Sequence, residues 1–178
     1  MLFRSSLAAS FFTKTGIVAV VGDDFGSEDL AVFERRGVDT TGLERASGKS
    51  FFWAGVYSPD MNDRTTLVTE LNVFADFQPK IPAAYRGYEH LFLGNIDPGL
   101  QRNVQAQMPG AQVVGGDTMN YWITAQPGEL KKTIAGWHML LINDSEARQL
   151  SGVHNLTKAA QQIHAMGPKT LEIGRAHV

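Results

Sequence analysis

Asn143 and Glu146 lie three residues apart, and Asp117 and Asn120 repeat that spacing. Carboxylate and amide oxygens are hard acceptors, suited to a hydroxyl, a magnesium ion or an ordered water. Three-residue spacing at the start of a helix lets both side chains face one ligand. The pattern points to a polyhydroxylated or phosphorylated ligand, held directly or through magnesium and water. The aromatic run Phe51-Phe52-Trp53 suits a cover that closes over a sugar and excludes water. Helix capping by Asp117, Thr118 and Asp144 is the plainer alternative for each polar cluster.

Such residues need a scaffold that brings them together, and the chain alternates strand and helix. Ile142-Asn143-Asp144-Ser145-Glu146 follows the apolar run Met139-Leu140-Leu141 and precedes a helical run, which makes it a strand-to-helix junction. Ile17 to Val21 reads as a strand buried on both faces. Ser27 is expected to cap a helix running to Arg36, with Gly37 as its C′ residue. His90 to Leu93, Gln112 to Val114 and Lys169 to Ile173 read as further strands. Asp97 and Pro98 open a helix, and others run from about Pro127 to Ala135 and from Asn155 to Met166. This alternation predicts an α/β fold with a doubly wound parallel sheet. Ligands bind at the carboxyl ends of strands in such sheets. Residues 38–77 break the pattern and are expected to form a β-rich flap, with strands over Ser50 to Tyr57 and Thr65 to Phe74 and a turn at Ser58–Asp63.

Composition narrows the classes. The chain has 178 residues, enough for one cored domain, and a hydrophobic fraction of 43% that argues against disorder. Net charge is −2 with no basic stripe, so a nucleic-acid partner is not expected. The absence of cysteine removes disulfides and thiolate chemistry, and fits a cytoplasmic protein. No apolar run approaches the ~20 residues of a membrane span, and the first residues are too broken by serine for a signal peptide. Gly42 to Ser50 nearly matches a phosphate-binding loop. It has five residues between the glycines where the loop needs four, and an aromatic strand follows instead of a helix. Gly115-Gly116-Asp117 lacks the dinucleotide fingerprint, the histidines lack ligand spacing, and Asn155 suits a helix cap better than glycosylation.

The motifs together resemble the ribokinase-type carbohydrate kinases, the PfkB family. The resemblance rests on Val20-Val21-Gly22-Asp23-Asp24-Phe25-Gly26, Arg35-Arg36-Gly37-Val38-Asp39 entering the flap, Asp117-Thr118-Met119-Asn120, and Asn143-Asp144-Ser145-Glu146-Ala147. It covers Ser6 to about Leu171. It implies transfer of the terminal phosphoryl group of ATP to a hydroxyl of a sugar or nucleoside. Asn143 and Glu146 would then organise Mg2+ and the phosphates. Phe52, Asp117 and Asn120 would lie along the sugar and phosphate path, and the flap could pair two copies into a homodimer. The family's early Gly-Gly run and its late Gly-Ala-Gly-Asp run, which supplies an anion hole and the catalytic base, are absent.

The expectation is therefore a single incomplete kinase domain, inactive alone, with an uncovered sheet edge that favours aggregation. Residues 1–5 and 172–178 are expected to be non-native. Both ends can be encoded by the two strands of one DNA segment resembling a sequencing adapter. Two rivals stand beside this reading. One is a non-catalytic α/β module that binds a sugar or nucleotide. The other is a glycoside hydrolase using Asp23 and Asp24.

Overall fold

Parallel strands joined by helices make up most of this computed structural model, which describes residues 2–59 and 64–174. Two compact units divide the chain, with the boundary between Pro82 and Ala83. The fold class is α/β with parallel strands and a β hairpin, as the alternation predicts.

The first unit opens with α1 (Leu2–Ala9) and β1 (Gly16–Val21), then α2 (Ser27–Arg35) and β2 (Asp39–Arg45). β1 and β2 pair in parallel, from Gly16 opposite Asp39 to Val21 opposite Arg45. Ile17, Phe33 and Val38 form its buried core, with Leu7, Ala19 and Phe25 packed on them. Only Ile17 and Val21 of β1 are buried, so the strand is half-covered along its middle and not sealed on both faces. Gly26, not Ser27, is the N-cap of α2. Its N–H donates to Asp29 Oδ2 at 3.0 Å, and no side chain caps the helix N–H groups that Ser27 was expected to satisfy. Gly37 takes the left-handed conformation (φ +63°) just past the helix, as its position suggests.

The stretch expected as one flap has two parts. β2 belongs with β1, while β3 (Phe52–Tyr57) and β4 (Arg64–Glu70) pair antiparallel as a separate hairpin. A 3-10 turn over Asn72–Phe74 follows where a longer strand was expected. Most of the turn expected at Ser58–Asp63 lies outside the described residues.

The second unit carries β5 (His90–Leu93), α3 (Pro98–Gln107), β6 (Val113–Asp117), α4 (Asn120–Ala125), α5 (Pro127–Ile134), β7 (Met139–Asn143), α6 (Asp144–Ser151), α7 (Leu156–His164) and β8 (Thr170–Gly174). Its four strands pair in parallel in the order β5-β6-β7-β8, each reached through helix. Leu130, Ile134, Leu140 and Ile163 are fully buried in it. Asp97 caps α3, accepting from Gly99 N at 2.8 Å and Leu100 N at 3.2 Å, and Pro98 fills the first position. Asn155 caps α7, accepting from Lys158 N at 3.0 Å. Gly116 has no room for a side chain. A Cβ there would sit 2.7 Å from Leu93 O and from the ring of Trp137, so this glycine of β6 serves close packing.

Candidate functional site

Three neighbouring parallel strands end together in the second unit, and each end carries a polar side chain. β5 runs into Gly94 and Asn95, β6 ends at Asp117, and β7 ends at Asn143. The register sets Leu93 against Gly116 and Asp117 against Leu141, so Asp117 lies on the strand between the other two ends.

Asn143 and Glu146 form a reciprocal cap at α6. Asn143 Oδ1 accepts the Glu146 N–H at 2.7 Å, and Glu146 Oε2 accepts the Asn143 N–H at 3.1 Å. The bonds fix Glu146, which is only 8% exposed, at the lip of β7. Asp144 lies one residue past the cap and bonds Arg148 Nη1 at 2.7 Å. Asn143→Ala is expected to cost about 1 kcal/mol, and Asn143→Gly only a few tenths. Thermal unfolding of the two variants checks this. Equal losses would remove the cap from the account.

Asp117 and Thr118 do not cap the next helix. The N-cap of α4 is Met119, and no side chain bonds there. Asp117 Oδ1 and Thr118 Oγ1 are buried without a hydrogen-bond partner, and so are Asn95 Oδ1 and Gln101 Oε1. A buried polar atom left unpaired costs about 1–3 kcal/mol, so the three at adjoining strand ends, Asn95, Asp117 and Thr118, invite a ligand that supplies positive charge or donors. Burial pushes the Asp117 carboxyl up to about 7, and the Glu146 charge adds to the rise. The backbone of Asp117 itself and, less strongly, that of Asn95 work in the opposite direction.

Of the residues singled out from the sequence, the structure brings Asp117 and Glu146 into electrostatic contact, with Asn143 bonded to Glu146. Asn120 is exposed at the first position of α4, and its Oδ1 accepts from Tyr121 N at 3.1 Å. Phe52 begins β3 in the other unit, 52% exposed and opposite Glu70. Sequence reasoning missed Asn95 and Gln101. Asn95 follows an apolar strand just as Asn143 does. Gln101 falls between Pro98 and Val104 on the buried stripe of α3, where an amide is out of place.

The oxygen-only donor set suits a hard cation such as magnesium. Among the described residues no three His, Cys, Asp or Glu side chains gather into a metal cage. A magnesium ion here would therefore keep water or phosphate oxygens among its ligands. Asp23 and Asp24, the carboxylates of the hydrolase rival, face the backbone of the Gly48–Ser50 turn. Gly48 N donates to Asp23 Oδ2 at 2.8 Å, and Ser50 N and Oγ donate to Asp24 Oδ1 at 2.8 and 2.6 Å. The Ser50 hydroxyl and N–H hold the Asp24 carboxyl below the usual carboxylate range, which suits a structural acceptor better than a proton donor.

Comparison with solved structures defines the fold. A PfkB protein from Polaromonas sp. JS666 superposes with a TM-score of 0.76 at 16% identity, over 97% of this chain and 65% of that one. Ribokinase from Cryptococcus neoformans var. grubii serotype A in complex with ADP gives 0.72 at 14% identity, over 97% and 60%. Fructokinase from Xylella fastidiosa with bound ATP gives 0.68 at 14% identity, over 98% and 62%. No protein-family model matches the chain, and no curated protein matches it. The chain has a ribokinase-like fold and spans about three fifths of the length of these structures.

Proposed function

We propose that this chain is part of an ATP-dependent carbohydrate kinase of the PfkB type, which transfers a phosphoryl group to a hydroxyl of a sugar or nucleoside. The observation that carries the reading is the set of buried, partnerless oxygens of Asn95, Asp117 and Thr118 at the parallel strand ends, within a ribokinase-like fold. Glu146 and Asn143 are the residues for magnesium and phosphate, and Asp117 and Asn120 lie toward the substrate. Phe52, on the hairpin, is proposed as a sugar-binding residue, and both units belong to one kinase domain in the cytoplasm. Magnesium bound with ATP neutralises charge on the phosphoryl oxygens, and the protein's share is mostly positioning. Exposed Phe51, Phe52, Val56, Tyr57 and Leu67 give the hairpin an apolar surface through which two copies pair.

The chain alone is expected to show no turnover. No Gly-Ala-Gly-Asp run is present to supply an anion hole and a general base. A general base alone is worth roughly 10²–10⁴ in rate. An ADP-release assay with a sugar panel, run beside Glu146→Ala, checks this. Turnover clearly above that control would refute the expected inactivity.

The closed Asn143–Glu146 cap supports a second reading, a module that binds a sugar or nucleotide without chemistry. Calorimetry showing tight sugar binding without ATP or magnesium would favour it.

A further inference from the structure

Gln101 is 1% exposed, on the face of α3 that also buries Pro98 and Val104. An apolar side chain of similar size would fill that place without desolvating an amide, which costs ~1–3 kcal/mol when bonds are lost. The amide has a specific set of partners instead. Gln101 Nε2 donates toward Leu93 O at 3.3 Å, Gly94 O at 3.0 Å and Asp117 O at 3.1 Å. Two amide hydrogens thus serve three carbonyls.

The location of those carbonyls gives the bonds their meaning. The β5–β6 ladder ends at Leu93 opposite Gly116. One step further, Gly94 and Asp117 have no ladder pairing in this register, and the Gln101 amide bridges their carbonyls. Asn95 follows immediately, with its backbone close enough to the Asp117 carboxyl to favour its charged form. Both Asn95 and Asp117 carry a buried side-chain oxygen without a partner.

We infer that Gln101 is a positioning residue, whose carboxamide sets the separation of the β5 and β6 ends and thereby holds Asn95 and Asp117 toward a shared ligand. The inference rests on the kinase reading for the nature of that ligand, and names Asn95 as a further binding residue. Loosening the clamp lets the ends of β5 and β6 part and opens their unpaired side-chain oxygens to water.

The test uses the whole chain and amide hydrogen exchange read by NMR, with magnesium chloride as the probe. Gln101→Met is expected to speed exchange of the Asn95 and Thr118 amides about tenfold or more, because the ends of β5 and β6 part. It should also weaken magnesium binding about tenfold, the usual effect of losing a residue that orients a ligand. Unchanged values of both in a folded Gln101→Met protein would overturn the inference. A wild-type chain that ignores magnesium, but whose exchange at Asn95 and Thr118 still depends on Gln101, would sink the kinase reading and support the clamp. Should Gln101→Met not fold, the wild-type chain decides. The Gln101 side-chain amide hydrogens should exchange slowly, and exchange at the rate of a free amide would overturn the clamp.

Discussion

Asp117→Asn is expected to make the chain more stable at pH 8 and to leave it nearly unchanged at pH 4. The native carboxyl titrates at about 7 against an ordinary 3.8, so the folded state binds the proton more tightly than the unfolded chain. Stability is then greatest below about pH 4 and is lost as pH rises through 7, because the native state must release a proton it prefers to hold. The rise corresponds to a ceiling of about 4 kcal/mol for the buried charge. An uncharged amide removes that penalty, so the variant should gain on the order of 3 kcal/mol at pH 8, or roughly 6–12 °C in Tm. Thermal unfolding at several pH values reads this directly. Parallel profiles for wild type and variant would show that Asp117 is not strained as its burial requires. Glu146→Gln should capture part of the same gain, since the Glu146 charge adds to the rise.

The second large effect belongs to Gly22. The Gly22–Asp24 turn and the Gly48–Ser50 turn are clasped together. Gly22 N donates to Ser50 Oγ at 2.9 Å and Asp23 N to Gly48 O at 2.7 Å, while Asp23 and Asp24 return carboxylate bonds to Gly48 N and Ser50 N. A Cβ on Gly22 would fall 2.5 Å from both Lys49 C and Ser50 N. Those are backbone atoms and cannot rotate away. Gly22→Ala must therefore part the two turns, at a cost of about 3 kcal/mol or more from overpacking and lost bonds. Faster hydrogen exchange over residues 48–57 should accompany the loss. Gly128→Ala, where a Cβ meets nothing within 4 Å, is the control and should be neutral or slightly stabilising. A Gly22→Ala protein melting with wild type would remove the clasp from the account.

The strand-to-helix junctions were legible because their signals are local. Asp97 before Pro98 and Asn155 before Leu156 each announce a cap through chemistry that acts within four residues, whereas the cap of α6 falls on Asn143, one residue before the expected Asp144. β2 was not legible in the same way. Asp39–Arg45 is polar and half-exposed, and its partner β1 lies 23 residues earlier at the Gly16–Asp39 pair, so nothing local marks it as parallel. The site divides along the same line. Asp117 was flagged for its type and position, but its unpaired oxygen depends on Met119 taking the cap of α4. Gln101 depends on three carbonyls from two other elements, which no reading of α3 by itself can supply.

Manganese, standing in for magnesium, gives the most direct measurement. Its unpaired electrons broaden the NMR signals of nearby nuclei, and it binds the same oxygen donors. Titrated into the whole chain with tripolyphosphate, it should first erase the signals of Asp117, Asn143 and Glu146, and Glu146→Gln should abolish that pattern. Broadening centred on Asp23 and Asp24, or spread evenly over surface carboxylates, would contradict a phosphate-binding crevice at the ends of β6 and β7.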